Sequence, residues 1–199
     1  MALKGDRAAA ACYGRIDVPD PGEPLVLATD GAGGGPRGAL GWLCTDGQYG
    51  FRSYPHPQVV VGDSRAVNEL RAVYEGLRHV TGTVRLLVDS NEAVMYLQRW
   101  RRGELVYPDG YTTLRPRATL VSLARLVSNR NDSLDVRLVT AGHVLNKTAD
   151  SLARLAIRTP KNFAKDQARG LAAVYVARSL AEYRKSPAGA GSVSRSVRC

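Results

Sequence analysis

Cysteine is scarce in this chain: Cys12, Cys44 and Cys199 are the only three among 199 residues. They are far apart and odd in number, so they make neither a disulfide framework nor a CxxC metal site, and the expected setting is a reducing cytoplasm. No apolar run approaches the ~20 residues that a bilayer-spanning helix needs, and the N-terminal residues lack a signal-peptide pattern; neither a membrane nor secretion is expected. Histidine is scarce too, with three residues and no cluster. Acidic residues are outnumbered, 18 against 28 Lys and Arg, for a formal net charge of +10. Wholesale disorder is excluded by 44% hydrophobic and 23% charged residues. What remains is a globular basic protein, and a basic excess points to a polyanion, of which nucleic acid is the commonest. Residues 160–199 hold eight Lys and Arg against Asp166 and Glu182, a share of +6, so the first 159 residues carry only +4.

Hydrophobic patterning divides the chain into a loose lead-in over residues 1–23, a core over 24–158, a basic helix within 160–185 and a disordered Gly/Ser/Ala/Arg-rich tail over 186–199. In the core, short apolar runs predict strands at 25–29 and 39–44, the second followed by the hairpin dipeptide Asp46-Gly47. A third strand falls at either 49–54 or 58–61. Ala66, Leu70, Val73, Leu77 and Val80 repeat at helical spacing behind Ser64, a good N-cap residue. A strand at 84–88 and a helix capped by Ser90 come next. Residues 101–116 read as a loop, 119–127 as a short helix, 134–139 as a strand and 148–157 as the last core helix. The expected fold is a mixed α/β layer with hairpins first and helix–strand alternation afterwards. In the basic helix, Leu171, Val174 and Leu180 give an apolar stripe that suits packing on the body or on a second copy.

Four carboxylates fall where such a fold can make them converge. Asp30 ends the first strand and Asp89 the fourth, at the carboxyl ends where α/β sheets gather ligands. Glu69 projects about 60° from the centre of its helix's apolar stripe, at the rim of the buried face. Asp150 is placed in the first turn of the last core helix, where the helix dipole favours negative charge. Each alone has a plain explanation as a turn, a helix start or a solvated acid. Together they would repel unless cations neutralised them, and oxygen ligands without Cys or clustered His suit a hard divalent ion, Mg²⁺ or Mn²⁺. Two such ions about 4 Å apart could activate a water and stabilise the leaving oxygen of a phosphodiester.

Thr29-Asp30-Gly31, Asn68-Glu69-Leu70, Val88-Asp89-Ser90 and the segment Gly142-His143 through Asn146-Lys147-Thr148-Ala149-Asp150-Ser151-Leu152-Ala153 follow one another in the order found in type 1 ribonucleases H. Over roughly residues 24–158 the chain resembles that family. The resemblance implies an RNase H-like five-stranded mixed sheet, three strands antiparallel and then two parallel, flanked by helices. It also implies a site of Asp30, Glu69, Asp89 and Asp150 holding two Mg²⁺ ions, for which Mn²⁺ can substitute. Asp30 would bridge both ions, with Glu69 and Asp89 on one and Asp150 on the other. The implied reaction is cleavage of the RNA strand of an RNA–DNA hybrid, leaving 5′-phosphate and 3′-hydroxyl ends, with no small-molecule cofactor. His143 would assist proton movement or product departure, its protonated form favoured by the nearby acids.

The chain departs from the family pattern in places. Its short segment between His143 and Asp150 is similar to that of the plant and archaeal subgroup, where an Arg stands near the position of His143. Ser64-Arg65-Ala66-Val67 replaces the Asn or Gln that reads the RNA 2′-hydroxyl, and no basic protrusion helix is evident. Contacts to nucleic acid are therefore expected at Gly31, Ser64, Arg65, Arg101 and Arg102, against a solvated-loop reading of the two last. Two other readings stay open: a nuclease for another structured substrate such as double-stranded RNA, and a non-catalytic nucleic-acid-binding protein. The sequence leaves the oligomeric state open.

Overall fold

The computed structural model describes residues 11–33, 37–55, 64–109, 111, 114–159, 165–187 and 189. The strands, in chain order, are β1 (Ala11–Arg15), β2 (Leu25–Gly33), β3 (Arg37–Cys44), β4 (Gln48–Pro55), β5 (Val84–Val88) and β6 (Leu134–Leu138). The helices are α1 (Ser64–Leu77), α2 (Asn91–Arg101), α3 (Leu114–Asn129), α4 (Val144–Arg158) and α5 (Lys165–Lys185). The strands form one mixed sheet in the order β1-β4-β3-β2-β5-β6. Pairings β1–β4, β3–β4 and β2–β3 are antiparallel, and β2–β5 and β5–β6 are parallel.

The three antiparallel and two parallel strands expected from the sequence are all present, but the sheet has a sixth. Ala11–Arg15, read as loose lead-in, pairs along β4 from Ala11↔Arg52 to Arg15↔Gln48. It is pinned from the side by Tyr13, whose hydroxyl donates to the buried Glu75 of α1 and whose ring packs beside Trp42 and His79. Of the two segments considered for the third strand, the first is realised, in β4. Gly47 makes the β3–β4 connection possible, with φ of +90° and its N–H donating to the Cys44 carbonyl.

Alternation along β2 sends successive side chains to opposite faces. Leu27, with Leu40, Trp42 and Cys44 of β3, joins a core under α1, α2 and α3, whereas Val26, Ala28, Ala39 and Leu43 face α4 and α5. Both faces are thus covered, as two parallel strand pairings require. The turn after α1 is fastened by Arg130, whose guanidinium donates to the carbonyls of Leu77, Val80 and Gly82 at 3.3, 2.9 and 2.7 Å. Arg130→Ala is expected to cost about 1–3 kcal/mol through these unanswered carbonyls, read as a lower urea midpoint with unchanged slope.

Three helices differ from expectation: α3 runs over Leu114–Asn129, longer at both ends than the short helix expected and starting inside the segment read as loop, and two others differ in instructive ways. Helix α4 starts at Val144, one turn earlier than its sequence suggests, because its N-cap is His143, which makes no side-chain capping bond and so leaves no signature. Asp150 consequently lies in the second turn, where the dipole argument for its placement does not apply. Helix α5 packs on the body through Ala168, Ala172, Val176, Leu180 and Tyr183. Leu171 and Val174 of the expected stripe are exposed, at 39% and 62%. Small alanines let the helix approach closely, and a period read from the largest side chains selects the wrong face. No helix among the described residues is long and apolar enough to cross a membrane. Most of the expected tail lies outside the described residues.

Candidate active site

Asp30 and Gly31 are neighbours on β2 and point to opposite faces, and this divides their work. Gly31 turns towards α1 so closely that a Cβ built on it would stand 2.2 Å from the Asn68 carbonyl carbon and 2.4 Å from the Glu69 nitrogen. That approach brings Glu69 to the strand, where its Oε2 accepts the Gly31 N–H at 3.0 Å. Gly31, expected to touch nucleic acid, therefore serves α1 with both its missing side chain and its amide. On the other face, Asp30 pairs across the sheet with Gly41 of β3. A Cβ on Gly41 would lie 2.3 Å from the Ala149 oxygen and 2.6 Å from the Ala153 nitrogen, so α4 rides directly on the strand there. Two glycines one register step apart thus draw the two acid-bearing helices onto the sheet from either side.

The fourth acid comes from the strand next door. Strand β5 runs parallel to β2 and ends at Val88, and Ser90 caps α2 by accepting the Ala93 N–H at 3.2 Å. Asp89 is held between these two constraints. Asp30, Glu69 and Asp89 each place a carboxylate oxygen within 4.8 Å of the others. Asp150 stands beside this trio, near enough to raise the pKa of Asp30, and its Oδ1 receives the Arg154 Nε at 2.7 Å. The structure therefore groups three of the expected acids tightly and keeps the last adjacent, paired with an arginine one turn along α4.

Electrostatics follow from burial. Asp30 is 8% and Glu69 5% exposed, so Glu69 is sunk below the rim position its helix angle suggests. Burial, followed by Asp150 and Asp89, raises the pKa of Asp30, while Arg154 opposes this. Burial, followed by Asp30 and Asp89, raises Glu69, against the Gly31 N–H. Asp89 is also raised, by burial first and then Asp150. Buried oxygens crowded this closely are a donor set that a divalent cation could satisfy. Arg154 is the cation already in place. Arg154→Gln is expected to tighten Mg²⁺ binding about threefold or more by removing a competing charge, measured by titration calorimetry without nucleic acid.

The other expected site residues scatter. His143 packs its ring 6.0 Å from that of Tyr183 on α5, and burial alone lowers its pKa. The expectation that acids favour its protonated form is not met, because its surroundings are the α4–α5 seam. Ser64 begins α1 and Arg65 follows it on the exposed side, both on the helix that carries Glu69. Arg101 donates to the Asn131 side chain and backbone, and Arg102 to Glu104. Both sit at the far end of α2, about 16 Å of helix rise from Asp89, so they lie away from the acid cluster. The arrangement also includes a residue to which sequence reading gave no role: Asn146 of α4, 1% exposed, lies beside Asp89.

Neither a protein-family model nor a curated protein matches the sequence. Among solved structures, the chain is similar to a crystal structure of LC11-RNase H1 in complex with an RNA/DNA hybrid, at 15% identity and a TM-score of 0.47, over 65% of this chain and 94% of that one.

Proposed function

We propose that this protein is a metal-dependent endoribonuclease of the RNase H type that hydrolyses the RNA strand of RNA–DNA hybrids. The observation that carries the reading is the meeting of Asp30, Glu69 and Asp89, from β2, α1 and the end of β5, within 4.8 Å, with Asp150 alongside. A protein that only bound nucleic acid would gain nothing from buried carboxylates beside phosphate. The strand order and the sequence of acids along it agree with the resemblance drawn from the motifs.

In this reading Asp30, Glu69, Asp89 and Asp150 would hold two Mg²⁺ ions. When bound, such a pair supplies an activated water and charge stabilisation at the leaving oxygen, which gives 5′-phosphate and 3′-hydroxyl products. The Gly31 amide fixes the Glu69 carboxylate. The sheet face around Asp30 is kept dry by Ala28, Ala149 and Leu152. Ser64 and Arg65 open the helix behind Glu69 and are the proposed contacts to the substrate backbone. His143 stands at the N-cap of α4, where burial lowers its pKa.

A panel of labelled hybrid, RNA duplex and DNA duplex tests this, with Mg²⁺, Mn²⁺ or EDTA and wild type beside Asp89→Asn. Cleavage of the hybrid's RNA strand, lost in EDTA and in the variant, is expected. Equal cleavage of the RNA duplex would move the substrate to double-stranded RNA. Salt-sensitive binding without metal-dependent hydrolysis would leave only a nucleic-acid-binding protein.

A further inference from the structure

Asn146 is the third residue of α4 and is 1% exposed. Neither its Oδ1 nor its Nδ2 has a hydrogen-bonding partner among the described residues. Two orphaned polar atoms inside a protein cost about 1–3 kcal/mol each, so a core position would normally be filled by leucine instead. Its neighbours explain the amide. Asp150 lies one helical turn further on the same face, and the Asn146 amide lies against the Asp89 carboxylate, outside hydrogen-bond geometry but close enough to favour its charged form.

A carboxylate can answer the amide N–H₂, but once the acids are ionised, as a bound cation requires, each is an acceptor and none can answer the amide oxygen. A cation satisfies an oxygen set among ionised carboxylates, and so does a water that donates to it. We infer that Asn146 is a positioning residue of the ion site between Asp89 and Asp150, its Oδ1 turned to the ion or to a water on it and its Nδ2 steadying Asp89. This rests on the metal-site reading above. It extends that reading to a neutral side chain that adds an oxygen without adding to the repulsion among the acids.

The test is calorimetric titration of Mn²⁺ and Mg²⁺ into the full chain without nucleic acid, for wild type, Asn146→Leu, Asn146→Ala and Asp89→Asn, with melting curves in EDTA. Asn146→Leu should weaken ion binding about 10- to 100-fold while leaving the metal-free melting temperature unchanged or higher, because the two orphaned atoms are gone. Asn146→Ala serves as the second variant should leucine not fit, and is expected to weaken binding similarly. Unchanged ion affinity in both variants overturns the inference. So does a loss of affinity that merely accompanies a falling metal-free melting temperature, which marks a structural role. Wild type that binds no ion, and matches Asp89→Asn, fails at the underlying site instead.

Discussion

Asp30→Asn is expected to reduce Mg²⁺-dependent hydrolysis of a hybrid by roughly 10³-fold or more and, in EDTA, to melt at a higher temperature than wild type. Both effects have one source. Asp30 is central to the acid cluster, so on the proposed reading its charge would serve the ions, while its burial among acids disfavours that charge in the metal-free fold. In the unfolded chain the carboxyls of Asp30 and Glu69 ionise near 4. In the folded chain burial and mutual repulsion hold their protons to higher pH. The folded state therefore binds more protons across that window, and metal-free stability falls as pH rises through it. Below the ordinary carboxylate range this penalty vanishes. Scanning calorimetry in EDTA should show the gap between Asp30→Asn and wild type widening from pH 5 to pH 8, at about 2–4 °C for each kcal/mol in a chain of this size. Mg²⁺ should raise the wild-type melting temperature and leave the variant's nearly unchanged. Identical melting of the two proteins at both pH values would show that Asp30 bears no strain from its neighbours.

Alongside Gly31→Ala, Gly41→Ala is expected to be among the most damaging single methyl groups that can be added to this fold. Its Cβ would lie 2.3 Å from the Ala149 carbonyl oxygen, which is backbone and cannot swing aside. Overpacking of this kind costs about 1–3 kcal/mol. The helix that must retreat carries Asp150, and a shift of about 1 Å at a catalytic group can cost 10²-fold in rate. Gly31→Ala should do the same to Glu69 through α1. A denaturant series paired with kcat separates the outcomes: each variant should lose far more activity than its stability loss explains. A variant that is destabilised yet fully active in its folded fraction would show that the close approach serves the fold alone.

These glycines also show where sequence reading stopped. Asp30, Glu69, Asp89 and Asp150 were legible because each follows or precedes a run whose period is plain, and chain order alone aligned them. Gly41 was silent: it sits inside an apolar strand, and the backbone that demands its smallness is contributed by residues more than a hundred positions away. Strand β1 was missed because five residues containing Cys12 and Gly14 offer no alternation, and their pairing depends on Tyr13 finding Glu75 and Trp42. The start of α4 was missed by a turn because His143 caps without a side-chain bond. Arg101 and Arg102 were legible as charge but not as geometry, since their partners Asn131 and Glu104 are distant or incidental in sequence.

Helix α5 carries none of the four acids, yet it packs against the start of the helix that presents Asp150. Its Ser179 hydroxyl donates to the Val144 carbonyl at 3.3 Å, and Tyr183 lies against His143, so α5 grips the opening turn of α4, which carries Asn146 and leads into the turn that carries Asp150. Shortening the chain just past Arg158 would therefore strip the apolar side of α4 and loosen its entry at once. The acid cluster, with Asp30 inside β2 rather than at its expected end, is thus seated by a segment that a boundary drawn from charge alone would have discarded as an appendage.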